Sequence, residues 1–281
     1  MKETHGVLDR AGCPLHYEVR GEGPPVVMIH GVGIHASGSN PQTVPLADRY
    51  TCLSFDNRGI GRSIPGKDDS RPRGEALSVD LMARDTLALM DEVGWQSAHI
   101  VGHSLGGLVA QRLALTARER VKSLALLCTF SRGKDATKLS ARMMWIGIRT
   151  RVGTRRSRRH AYLEIVMPPE VRARGGLDKL AEEVGRVIGH DLADHPPITM
   201  QQLCAMRACD TTPRLGELAG IPTLVVGSEH DPIAPPPIGR ALAAAIPGAR
   251  FVVMEDAAHG VTMQHADRIN ALLAEHFEAV K

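Results

Sequence analysis

Aromatic residues are scarce: four Phe, three Tyr and two Trp in 281 residues. A core must therefore be built from Ala, Val, Leu, Ile and Met. No apolar run approaches the length that crosses a bilayer. The opening stretch MKETHGVLDRAGCPLHYEVRG holds no apolar signal segment. The expectation is a cytoplasmic protein with no membrane span. Cysteine is sparse and odd in number, at Cys13, Cys52, Cys128, Cys204 and Cys209, with no C-x-x-C pair. That pattern argues for reduced thiols, against a disulfide framework and against a zinc site. Phosphate loops, dinucleotide fingerprints and metal-ligand spacings are all missing; GVGIHASG follows an apolar run but lacks the G-x-G-x-x-G spacing. Neither a metal nor a cofactor is expected. A net charge of +3 gives no argument for nucleic acid.

What is present is an alternation of short apolar runs with helical patterns. PLHYEVRG, PPVVMIHG, RYTCLSFD, HIVGHS and VKSLALLCTF read as strands. EALSVDLMARDTLALMDEVG places Leu77, Leu81, Leu87 and Met90 at helical spacing before a stop at Gly94. Such alternation predicts a mostly parallel sheet covered by helices on both faces. It stops at Phe130. From 131 to 212 only helical patterns appear, in Met143, Met144, Trp145, Ile146 and Ile148, and again in Leu180, Val184, Val187 and Ile188. Strands return with IPTLVVGSEHD and ARFVVMEDAAHG, each followed by a helix. The chain thus divides into an α/β core, 1–130 and 213–281, and a helical insertion, 131–212. Its length suits one large domain with such an insertion. The insertion is strongly basic at first: twelve Lys and Arg against three acids between Arg132 and Arg174. A solvated basic face is the simplest reading of that run. Recruitment of an anionic substrate is the sharper one. Nucleic acid is not expected there, because no aromatics are interleaved for stacking.

One segment carries chemistry. In HIVGHSLGGLVAQRLAL, Ser104 stands between a strand and a helix, flanked by Gly102, Gly106 and Gly107. A serine hydroxyl is a weak nucleophile unless a base takes its proton, an acid orients that base, and donors meet the developing oxyanion. A sharp strand-to-helix turn lifts the serine above the sheet and tolerates only small neighbours. The helix N-terminus adds the backbone N–H of Leu105 and a favourable dipole.

GHSLGG resembles the nucleophile elbow of the α/β-hydrolase superfamily, whose triad runs Ser, then Asp or Glu, then His along the chain. VVGSEHDPIAPP is similar to the family's acid-bearing loop and implies Asp231, with Glu229 and Asp135 as weaker alternatives. DAAHG is similar to its base-bearing loop and implies His259. VVMIHGVG resembles the oxyanion loop, so the Val32 N–H would join that of Leu105, with His30, Gly31 and His103 shaping the surrounding turns. DNRGIGRS matches a further family turn, in which Asp56 and Arg58 hold structure. The resemblance covers roughly 7–130 and 213–280. It implies an α/β-hydrolase fold, a mostly parallel eight-stranded sheet flanked by helices, with 131–212 as a lid.

The implied activity is hydrolysis of a small, partly apolar ester or lactone through an acyl-enzyme on Ser104. His35, Met143, Met144 and Trp145 are candidate pocket residues. Ser104 argues against the epoxide and haloalkane chemistry of members with Asp there. His103 stands where carbon–carbon bond hydrolases often have Asn, and Val32 where haloperoxidase-like members tend to have an aromatic. The remainder resembles carboxylesterases and enol-lactonases. Carbon–carbon bond hydrolysis, thioester hydrolysis and a non-enzymatic sensor role stay open, as does homo-oligomerisation.

Overall fold

The structure is a computed structural model that describes residues 2–10, 12–65, 75–136 and 141–280. Lys138 of the basic run lies outside them. The strands are β1 (Glu3–Arg10), β2 (Cys13–Arg20), β3 (Pro25–Ile29), β4 (Thr51–Phe55), β5 (Ala98–His103), β6 (Val121–Leu127), β7 (Thr223–Ser228) and β8 (Arg250–Met254). The helices are α1 (Asn40–Leu46), α2 (Val79–Glu92), α3 (Leu105–Thr116), α4 (Gly133–Ala136), α5 (Ala141–Arg149) and α6 (Arg155–Val166). After these come α7 (Pro169–Ala173), α8 (Leu177–Ile188), α9 (Thr199–Ala208), α10 (Pro236–Ala245), α11 (Val261–Gln264) and α12 (Ala266–Glu278). Among the described residues no helix is long and apolar enough to cross a membrane.

All eight strands form one sheet in the order β1-β2-β4-β3-β5-β6-β7-β8. The β1–β2 and β2–β4 pairs are antiparallel, and the other five are parallel. This is the mostly parallel sheet the sequence predicts. The central strands are buried on both faces, which is why they read as unbroken apolar runs. β1 is the exception among the sequence expectations: it is an edge strand, half in solvent, and ETHGVLDR carries no apolar signal.

Helices cover both faces. Met82, Leu89 and Met90 of α2 and Leu108 and Leu113 of α3 pack in one apolar cluster. Leu46 of α1 and Ile269, Leu273 and Phe277 of α12 pack in the other. α2 begins where Ser78 Oγ accepts the Leu81 N–H at 3.1 Å. It ends with the Gly94 and Trp95 N–H groups returning to the Asp91 and Met90 carbonyls, at 3.0 and 2.8 Å. The bidentate Arg58–Asp85 pair, at 2.9 and 2.8 Å, ties the turn after β4 to α2.

Between β6 and β7 the described residues fold as α4–α9, with an isolated antiparallel bridge, Arg132 to Asp210, joining the ends of the segment. That neck is bonded to the core through Gln111 of α3, which receives the Thr211 hydroxyl at 2.7 Å and donates to the Phe130 carbonyl at 3.0 Å. Inside the segment, Leu163, Val166, Val184 and Ile188 belong to a separate apolar cluster. The basic run meets acids from later in the same segment: Arg155 bonds Asp191 and Asp194, Arg156 bonds Asp178, and Arg159 bonds Asp191. Asp191 is held well below the usual carboxylate range, first by the Arg159 hydrogen bond. These pairs are largely solvent-exposed, so they set geometry more than stability.

Removing the α2 cap with Ser78→Ala should cost about 1 kcal/mol. Urea denaturation should show a lower midpoint with an unchanged slope.

Candidate active site

Ser104 sits between β5 and α3 with φ 55° and ψ −120°, a conformation that side-chain-bearing residues seldom adopt. Close approach enforces the turn. A Cβ at Gly102 would stand 2.4 Å from the Gly106 carbonyl oxygen, and one at Gly106 would stand 2.1 Å from that of Ile29. Only glycine lets α3 start this near β3. The Ser104 carbonyl accepts the Thr129 hydroxyl at 2.6 Å, and its N–H bonds the Leu127 carbonyl at 3.0 Å.

Two loops converge on that serine. His259 Nε2 lies 3.0 Å from Ser104 Oγ, and His259 Nδ1 lies 2.7 Å from Asp231 Oδ2. Asp231 Oδ1 accepts the Ile233 and Ala234 N–H groups at 2.8 and 2.9 Å. Burial alone would raise the Asp231 carboxyl; the charge and hydrogen bond of His259 and the two backbone donors carry it below its ordinary value. An ionised carboxylate only accepts. Nδ1 therefore carries the imidazole proton, and bare Nε2 receives the serine O–H. Of the alternative acids, Glu229 points into solvent and Asp135 lies in α4.

His103 lies beside His259, its Nε2 2.9 Å from the His259 carbonyl. Burial pushes its imidazole down to about 3, and burial likewise pushes His30 down to about 4. Both rings are neutral near pH 7, and His103 donates through Nε2. Beneath Asp231, Cys128 Sγ meets Ser228 Oγ at 3.1 Å, and burial holds the thiol protonated. No local motif marks Cys128 or Ser228 as part of this support. His103, Cys128 and His259 offer donor atoms close enough to share a metal ion. Those donors are already committed: both His259 nitrogens face Ser104 and Asp231, His103 Nε2 faces a carbonyl, and the thiol keeps its proton.

Ser104, His259 and Val32 open onto a cavity of about 490 Å³ roofed by residues of α4, α5, α6, α8 and α9. Leu105 heads α3, where a backbone N–H has no acceptor in its own helix. The cavity wall is mainly apolar, including Ile34, Met143, Ile165, Ile188 and Leu203, with His190, His195 and Thr199 at intervals. Met143 is thus a wall residue. Met144 and Trp145 are not: they are 51% and 60% exposed, because α5 turns Met143, Ile146 and Gly147 inward and its opposite face to solvent. His35 is also displaced from the wall. Its ring packs behind His190, 5.6 Å between centroids, and His190 takes the cavity position.

The alpha/beta hydrolase fold model matches residues 24–266. The chain belongs to the alpha/beta hydrolase fold family. This hydrolase is 30% identical over 286 residues to a protein named as the non-heme bromoperoxidase BpoC of Mycobacterium tuberculosis, covering 95% of this chain and 98% of that one. It is 30% identical over 277 residues to a protein named as the carbamate hydrolase RutD of Azorhizobium caulinodans, covering 97% of each. Among solved structures it is similar to the enol-lactonase of Burkholderia xenovorans LB400, with a TM-score of 0.78, 26% identity, and 97% of this chain and 100% of that one covered.

Because burial disfavours the imidazolium, His30 and His103 should take up protons only near pH 4 and 3. Their ring resonances in NMR should stay flat from about pH 8 to about pH 5.5, where an ordinary histidine titrates.

Proposed function

We propose that this alpha/beta hydrolase cleaves a small, partly apolar carboxylic ester or lactone through an acyl-enzyme on Ser104. The hydrogen-bonded chain Asp231–His259–Ser104 at the floor of a mainly apolar cavity carries the reading. Ser104 Oγ attacks the acyl carbon as its proton passes to His259 Nε2. The Asp231 carboxylate holds Nδ1–H and balances the imidazolium. The Val32 and Leu105 N–H groups receive the oxyanion. As the intermediate collapses, the alcohol leaves with the proton from Nε2. Water then attacks the acyl group, giving its proton to Nε2, and the carboxylic acid departs as Ser104 recovers its hydrogen.

Residues 131–212 act as the lid in this scheme. The cavity has an ordinary volume for a small-molecule site. Its apolar wall suits an acyl chain, and unbranched Met143 suits chains of differing shape. Ester and lactone are favoured over other acyl donors by the similarity to the enol-lactonase. The similarity to RutD makes a carbamate the second acyl group to test, since the same oxyanion and base would serve it.

Ser104→Ala should lower kcat by at least about 10⁴-fold, and Asp231→Asn by a similar factor through the wrong tautomer. Nitrophenyl esters from acetyl to decanoyl, simple lactones and a nitrophenyl carbamate make up the panel. Full turnover by Ser104→Ala would end the proposal. A carbamate preferred over every ester and lactone would move it to the second reading.

A further inference from the structure

We infer that Gln202, on lid helix α9, is a positioning residue that aims the oxyanion loop. The inference rests on the reading of Val32 N–H as an oxyanion donor.

The loop from Gly31 to Ala36 touches the core at its two ends. At one end, Gly31 packs against Ser104 so closely that a Cβ would be 3.1 Å from the serine Cβ. At the other, the Ala36 N–H donates to Asp56 Oδ1 at 2.7 Å. Between these points, the tertiary hydrogen bonds among the described residues come from the lid. The Gly33 N–H donates to Gln202 Oε1 at 2.9 Å. The Gly33 carbonyl faces His190 Nε2 at 3.1 Å. The His35 N–H donates to the Ile188 carbonyl at 3.1 Å. Gly33 adjoins Val32, and both its polar groups are held by lid side chains.

The burial of Gln202 shows which interaction retains it. The side chain is fully buried, and among the described residues its Nε2 has no partner. A buried amide whose NH2 donors are left unpaired is costlier than an apolar residue of the same shape. The compensation is on the oxygen, which satisfies the otherwise stranded N–H of buried Gly33. Without that acceptor the Gly33 N–H must find another, and the peptide that carries the Val32 donor shifts with it. Oxyanion donors act only within a narrow range of position. The lid therefore completes the catalytic geometry as well as covering the cavity.

The test compares Gln202→Leu, which removes the acceptor at near-constant volume, with Gln202→Glu, which keeps an oxygen at the same reach. The substrate is the best nitrophenyl ester, with kcat normalised to titrated active sites. Gln202→Leu should lose about tenfold to a hundredfold in kcat, with KM within about twofold, because the contact acts on the transition state alone. A boronic acid inhibitor that mimics the tetrahedral intermediate should weaken by a similar factor. Gln202→Glu should recover most of both losses. Should Gln202→Leu fail to fold, Gln202→Met replaces it in the same comparison. A kcat within about threefold of wild type in the apolar variant overturns the inference. So does an equal loss in both variants, which would mark a role in stability alone. Ser104→Ala is the control: if it retains turnover, the serine mechanism falls, and this inference falls with it.

Discussion

The site depends on a backbone conformation that a side-chain-bearing residue resists. At φ 55° Ser104 is strained, and such strain costs on the order of 1–3 kcal/mol where it persists. It persists because its surroundings leave no alternative. The serine N–H is bound to the end of β6, its carbonyl to Thr129, and the glycines on either side let α3 start against β3. Relaxing the turn would break these contacts together. The conformation lifts Oγ off the sheet edge toward His259 and leaves the Leu105 N–H at the head of α3.

Around that fixed point, polarity is arranged by burial. Asp231 is enclosed yet ionised, because two backbone donors and the imidazole outweigh desolvation. Burial keeps His30, His103 and Cys128 uncharged. The Asp231–His259–Ser104 chain thus holds one anion, facing one imidazole, and the direction of its hydrogen bonds follows from that.

The helical segment is bound to the core in two ways. Its neck is fastened through Gln111, on α3, the helix that follows Ser104. Its far side bonds the loop after β3 through Gln202, His190 and Ile188. Part of its surplus positive charge is matched by Asp178, Asp191 and Asp194, which follow the basic run in sequence and fold back across it. That pairing leaves less free charge at the roof than the composition of 132–174 suggests.

Local pattern was enough for the parallel sheet and the glycine-flanked turn at Ser104, because each is a short segment whose residue types answer to a local demand; the loops bearing Asp231 and His259 came only from their resemblance to family loops, with Glu229 and Asp135 left as alternative acids. Buried strands need continuous apolar runs, and a sharp turn needs glycine. β1 escaped because a half-exposed edge strand has no obligatory pattern. Met144 and Trp145 were misplaced because periodicity shows that a helix has two faces without showing which one meets the cavity. His35 was assigned to the wall that His190 occupies for a related reason: residues 155 positions apart in sequence compete for one surface. Gln202 and Cys128 carry no motif at all, since their roles consist of contacts across the fold. The amino-acid sequence by itself determined which chemistry could be assembled here. Tertiary packing alone decided which carboxylate reached His259 and which side chains of 131–212 reached the loop after β3, because those distances are set by where segments remote in sequence come to rest.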